Sequence, residues 1–230
     1  ADVAARTYAE HLEAWEALDR LGYDGVGFNE HHCSPYGLMN SPNLMASAAA
    51  QRTKKLKLLI YGNLLPLHEP LRLAEELAML DCLSNGRIIS GFARGIPREY
   101  QVHNVPMSQS RERFEEAFTL IKKTWTTPGP FRWEGKHFHL RVVNPWQLPV
   151  QKPHPPIWAG GILSPETIRW AAKERITYLV LGSALDATAE CRNIYHEVAA
   201  ADGWTPGPQH LGYLIHTSVM DTDDEAYEMG

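Results

Sequence analysis

Strand-length apolar runs, alternating with helix-length amphipathic segments, recur along this chain and restrict its fold more than any other feature. The runs lie at Asp24–Asn29, Lys55–Leu65, Arg87–Gly95, Pro156–Ala159, Thr177–Leu181 and His210–Met220. Between and around them the apolar residues recur at helical spacing over 1–21, 42–52, 71–83, 110–125, 164–173 and 187–202, and Asp223 opens a further helix. Leu73, Leu77 and Leu80 form one apolar stripe; Phe114, Phe118 and Ile121 form another. Ser41-Pro42 and Ser164-Pro165 read as helix caps with proline at the first helical position. Strands that alternate with helices build a parallel sheet, either open and doubly wound or closed into a barrel. No GxGxxG follows the first strand and no phosphate loop with its lysine is present, so the nucleotide-binding open sheets lack support. A single (β/α)8 barrel of about 250 residues is the expectation over residues 1–230. Its first and last strands are expected before Ala1 and after Gly230. Residues 126–156, rich in proline and aromatics, break the rhythm and read as an insertion, with a short hairpin around Glu134-Gly135.

Bulk properties narrow the function classes. A formal net charge of -5 leaves no basic footprint for nucleic acid. No apolar run approaches the roughly 20 residues that span a bilayer, and residues 1–20 read as a charged amphipathic helix rather than a signal peptide. Cys33, Cys82 and Cys191 have no short pairing, which suits a reduced, cytoplasmic setting.

Four stretches can carry chemistry. The first is GYDGVGFNEHH, Gly22–His32, where Asn29, Glu30, His31 and His32 crowd the end of a strand. Active sites of α/β barrels lie at that end. By alternation His31 shares a face with Gly27 and Asn29 and is the candidate general base; an ordinary hydrogen-bonded histidine is the alternative. A zinc site from Glu30, His31, His32 and Cys33 is disfavoured, because neighbouring positions on a strand cannot converge on one ion. The second is Tyr61-Gly62-Asn63, whose glycine marks a bulge or the close approach of a ligand. In the third, GFARG, Gly91 and Ala93 share a face that leaves room for a flat ligand, and Arg94 emerges where a guanidinium can fork onto a phosphate. In the fourth, Gly160 and Gly161 lead to a helix start with Ser164 and Thr167, which suits an anion as well as plain capping. Planar-ring space, a phosphate anchor and a histidine together fit flavin mononucleotide more readily than a sugar phosphate.

NEHH, YGLMNSPNLMA, LKLLIYGNLLPLHEPLRLAEELAMLD, SNGRIISGFARG, SRERFEEAFTLIKKTW and PPIWAGG, in this order, resemble the bacterial luciferase-like family of flavin-dependent monooxygenases over nearly the whole chain. The resemblance implies a barrel that takes reduced FMN from a separate flavin reductase. There oxygen adds to the flavin and the flavin hydroperoxide oxidises a small organic substrate. It implies His31 as the active-site acid or base, and a Tyr61-Gly62 peptide, of the kind often cis, beneath the ring with Gly62 and Asn63 lining it. It implies Ala93 beside the flavin, where luciferase has a reactive cysteine, and Arg94, Ser164 and Thr167 at the phosphate. A homodimer is also implied. A deazaflavin-dependent dehydrogenase of the same fold and a non-catalytic flavin-binding protein are the alternatives. Residues 126–156, with Trp133, Phe138 and Trp146, are expected to lid the pocket.

Overall fold

In the computed structural model, which describes residues 2–35, 37–182 and 184–230, the chain opens with a helix, α1 (Asp2–Leu21). Then follow β1 (Gly25–Phe28), α2 (Pro42–Arg52), β2 (Lys57–Leu64), α3 (Pro70–Ser84) and β3 (Ile88–Ala93). A one-turn helix, α4 (Pro97–Val102), precedes the long α5 (Ser110–Thr126), and an antiparallel hairpin follows, β4 (Phe131–Glu134) and β5 (His139–Val143). These elements lie in the first of two compact units, Ala1–Trp158; the second is Ala159–Gly230.

The local chemistry explains the boundaries. Ser41 caps α2, its hydroxyl accepting from Leu44 N at 3.4 Å, with Pro42 in the first turn. Asn85 takes the left-handed conformation that stops α3, and Gly86 continues the turn at positive φ. Strands β1, β2 and β3 run parallel, with Gly27 opposite Leu59 and Leu59 opposite Ile89. One face of this sheet buries Phe28, Leu58, Ile60, Ile88 and Phe92 beneath the helices. There Phe92 meets Phe118 of α5 edge-on at 6.3 Å. Each such side chain contributes about 1.5–3 kcal/mol by leaving water. The opposite face, carrying Gly25, Gly27, Leu59, Tyr61, Ile89 and Ala93, is open or half-buried.

Within residues 126–156 the expected short hairpin forms, as β4 and β5, and docks on α5. The Glu116 carboxylate of α5 accepts from Trp133 Nε1 at 3.0 Å, His137 N at 2.9 Å and Phe138 N at 3.1 Å. Arg113 lies 4.8 Å over the Phe138 ring. A carboxylate that gathers three donors fixes the hairpin along its own helix. Trp146 is 95% exposed.

Strand β6 (Ile157–Gly161) begins in the first unit and ends in the second, so Gly160 and Gly161 belong to the strand rather than to the loop after it. The second unit continues with α6 (Pro165–Glu174), β7 (Thr177–Leu181), α7 (Leu185–Ala201), β8 (Leu211–Leu214) and α8 (Asp223–Met229). Its interior holds Ile168, Tyr178, Val180 and Tyr195, whose hydroxyl donates to Ile176 O at 2.6 Å. The last strand is shorter than the expected His210–Met220, because only Leu211–Leu214 finds a ladder partner, in β7. Ile215 and Val219 are exposed. Among the described residues the strands alternating with helices are β1, β2, β3, β6, β7 and β8, short of the eight of a closed barrel. No helix of the described residues is long and apolar enough to cross a membrane.

Candidate functional site

At the C-terminal end of β1 the chain delivers Glu30 into a buried position, 2% exposed. Both its oxygens lie 2.9 Å from His68 Nε2, and Oε1 lies 2.8 Å from His32 Nε2. Oε2 accepts from Leu64 N at 3.1 Å and, more weakly, from Asn63 Nδ2 at 3.4 Å. Burial alone would raise this carboxyl. The His68 hydrogen bond and charge, then His32 and the Leu64 amide, outweigh it and hold the group below the ordinary glutamate range. His103, which follows α4, meets the His32 ring edge-on at 4.4 Å, and burial followed by the nearby His32 lowers its pKa.

The neighbouring histidine has a different partner. His31 Nδ1 lies 3.0 Å from Glu99 Oε1, and Glu99 is itself 2% exposed. The other Glu99 oxygen accepts from Ile96 N at 2.9 Å. In the tautomer that carries its proton on Nδ1 the imidazole donates to this carboxylate, and such a carboxylate partner orients the ring of a proton-transferring histidine. The backbone fixes the segment as well: His31 N donates to Met39 O at 2.9 Å, and Asn40 Nδ2 donates to His31 O at 2.8 Å. Glu99, Glu30 as a hub, His68 and His103 escaped the sequence reading. Their partners lie 38 and 68 residues apart in the pairs His68–Glu30 and His31–Glu99, and no local spacing announces them.

Tyr61, Gly62, Asn63, Ala93 and Arg94 meet at the ends of β2 and β3. The Tyr61–Gly62 peptide is cis. The ladder between β2 and β3 slips between Ile60 and Asn63, and there the two backbones come so close that a Cβ on Gly91 would lie 2.3 Å from Ile60 O. Only glycine fits at Gly91. The slip places Asn63 opposite Phe92, so its amide turns to Glu30 and to Asn43 Oδ1, 3.2 Å away, and is fully buried. In that placement the Asn63 amide braces the loop. Its Oδ1 has no partner among the described residues. Ala93 and Arg94 are half-buried, and a Cβ on Gly27 would meet nothing within 4 Å. The strip Gly27, Leu59, Tyr61 and Ala93 offers flat space, and the guanidinium offers a forked donor for an anion. The residues present fit a flavin phosphate.

In the second unit, Ser164 Oγ caps α6, accepting from Thr167 N at 3.4 Å and from Thr167 Oγ1 at 3.0 Å. Gly161 lies beneath the Tyr178 hydroxyl, which a Cβ would approach to 3.1 Å. Capping and anion binding use the same amides and remain compatible here.

Limonene 1,2-monooxygenase of Rhodococcus erythropolis is 37% identical over 94% of the chain and 57% of its own length. The oxygenase component of the flavin-dependent trigonelline monooxygenase of Acinetobacter baylyi is 30% identical over 95% and 61%. The chain thus spans somewhat over half the length of these curated relatives. The oxygenating constituent of 3,6-diketocamphane monooxygenase from Pseudomonas putida, solved with FMN, superposes with a TM-score of 0.88 at 24% identity, covering 98% of this chain and 66% of that one. The family model described as luciferase-like monooxygenase matches residues 1–229, and the chain belongs to that family.

Proposed function

We propose that the protein is the oxygenase of a two-component flavin-dependent monooxygenase, taking reduced FMN from a separate reductase and using dioxygen to oxidise a small, mostly apolar organic substrate. The observation that carries this reading is the His31–Glu99 pair at the strand ends, beside the open strip of Gly27, Leu59, Tyr61 and Ala93. Bound reduced flavin supplies the electrons that activate oxygen. The chain's own residues do the rest. His31 moves a proton at Nε2, and Glu99 holds the ring in the tautomer that allows it. Gly62 and Gly91 keep the floor close and flat. Arg94 anchors the phosphate from the first unit; Ser164 and Thr167, with Gly160 and Gly161 leading to them, offer an anion site in the second, and each set is assigned on its own geometry. The reading includes a homodimer, supported by the family resemblance alone, and a cytoplasmic setting, supported by cysteines with no short pairing.

The test is a titration with FMN and with a deazaflavin, followed by oxygen uptake with a substrate panel. FMN binds at micromolar affinity or better, and one substrate class couples oxygen uptake to product. His31→Ala keeps FMN affinity and loses about 100-fold or more in product formation. Turnover with a deazaflavin under anaerobic conditions, and none with reduced FMN and oxygen, would replace the reading with a dehydrogenase. FMN binding with no substrate effect on peroxide release would reduce it to a flavin-binding protein.

A further inference from the structure

The strand ladder of β3 ends at Ala93, paired with Leu64, and Arg94 is the next residue. Its carbonyl lies beyond the ladder. It is taken instead by the Tyr100 hydroxyl, which donates to Arg94 O from α4. The phenol is 4% exposed, and Ser110, the first residue of α5 and 5% exposed, hydrogen-bonds to the same oxygen. Burial raises the phenol above its ordinary value, so it stays an O–H donor at neutral pH. Immediately after Arg94 the chain turns at Gly95, at φ +88, where a Cβ would lie 2.9 Å from Glu99 Oε2. The backbone that carries the Arg94 guanidinium is therefore pinned from α4 and, through Ser110, from α5.

We propose that Tyr100 is a positioning residue for the anion site at Arg94: its hydroxyl fixes the Arg94 peptide so that the guanidinium meets the cofactor's phosphate in one orientation. The proposal rests on Arg94 as a phosphate ligand. A planar guanidinium rewards exact placement, since a bidentate pair with a phosphate tolerates little rotation. Losing the phenol O–H leaves the part-buried Arg94 O without this donor and free to shift.

The experiment compares FMN with riboflavin, which lacks the phosphate, by fluorescence titration of the purified protein and its variants. The wild type prefers FMN, and Arg94→Ala lowers that preference by about tenfold or more. Tyr100→Phe lowers FMN affinity by about five- to tenfold, the size of one buried hydrogen bond, and leaves riboflavin affinity within about twofold. A structural role alone would weaken both ligands together, and that result, like an unchanged FMN affinity, overturns the proposal while leaving the anchor intact. An FMN preference that Arg94→Ala leaves unchanged overturns the anchor and the proposal with it. If Tyr100→Phe does not fold, Ser110→Ala, which removes the phenol's other partner, is read in its place. A lower FMN-to-riboflavin ratio then supports the positioning role, and an unchanged ratio overturns it.

Discussion

The two ends of the β1–β2–β3 sheet solve the same problem in opposite ways. At the N-terminal end Arg87 donates five hydrogen bonds, to Ser84 O, Thr53 Oγ1, Leu56 O, Ala50 O and Thr53 O, all between 2.8 and 3.1 Å. Asp19 of α1 accepts from the amides of Lys54, Lys55 and Leu56, and these bonds, the Lys54 one first, hold its carboxyl below the usual range. Nearly every partner is backbone, so nothing there titrates near neutral pH. At the C-terminal end the buried carboxylates Glu30 and Glu99 face histidines, which are partly exposed. One buried acceptor, Asn63 Oδ1, is left open among the described residues. The N-terminal end is built to hold; the C-terminal end can change its protonation. That division matches the rule that barrel chemistry sits at the C-terminal face and stability at the other.

The largest expected effect tests the holding end. Arg87→Ala removes five bonds and strands several buried carbonyls, at a cost of about 3–4 kcal/mol. Urea unfolding reads this directly, and Arg87→Lys recovers a part of it, since an ammonium cannot reproduce the fork. FMN affinity, measured below the unfolding range, stays as in the wild type. A loss under about 1 kcal/mol would mean that the network is ornamental and the contrast between the two ends is false.

Next comes the end where histidines face buried carboxylates. Glu99→Gln keeps the shape but offers an amide that can present N–H to His31 Nδ1, so the imidazole is no longer held in one tautomer. Substrate-dependent turnover falls by about ten- to a hundredfold, part of the 10²–10⁴ that general acid–base catalysis supplies. KM and FMN affinity hold, and so does the unfolding midpoint to within about 1 kcal/mol. A variant that unfolds as readily as Arg87→Ala would make Glu99 a lock like those at the other end.

These contrasts show what the sequence makes legible. The helices with periodic stripes and the capped starts at Ser41-Pro42 and Ser164-Pro165 are set by contacts within one turn, so reading along the chain finds them. Gly91 stands out along the chain only as a small residue, because the close approach of Ile60 O that requires it comes from the neighbouring strand. Helix α4 escapes because six residues hold too little periodicity, although Pro97 marked its start. The overlong last strand has the opposite cause: Ile215, Thr217 and Val219 carry strand-like letters, but the ladder that decides a strand lies in another segment. The same physics hid half of the candidate site. His31 stands out as a residue type at a strand end, whereas Glu99 and His68 become partners only when distant loops fold together.

A smaller effect appears on acidification. Glu30 has a folded pKa below its ordinary value of 4.5, so the unfolded chain binds its proton more readily. Its contribution to stability is whole above pH 4.5 and is lost as pH falls through the lower folded value. Urea midpoints taken from about pH 6 down to pH 3 therefore decline more steeply in the wild type than in Glu30→Gln, which is weaker at neutral pH but has no proton to gain. Parallel curves would show that the histidines do not favour the ionised form. The Glu30 site would then belong with the Arg87 network, as a fixed support.

The smallest effect is expected at Asn63, and it discriminates most finely. Its amide makes two hydrogen bonds, of 3.4 and 3.2 Å, the longer being beyond the usual N–H···O range, while its carbonyl is buried without a partner. Glu30 accepts and cannot donate while ionised, so the amide nitrogen must face it and the orphan must be the oxygen. Asn63→Ala removes two weak bonds and, with them, an unpaired acceptor whose burial costs about 1–3 kcal/mol. The two changes oppose each other, and the net shift is under about 1 kcal/mol in either direction. At the Arg87 end no such offset exists, because every donor there is used. If Asn63→Ala destabilises as strongly as Arg87→Ala, the carbonyl is satisfied after all, by an ordered water, and the C-terminal end is as closed as the N-terminal one. If it is near neutral in stability yet weakens FMN, the loop after the cis Tyr61–Gly62 peptide tolerates a poorly paired amide because that amide shapes the flavin floor.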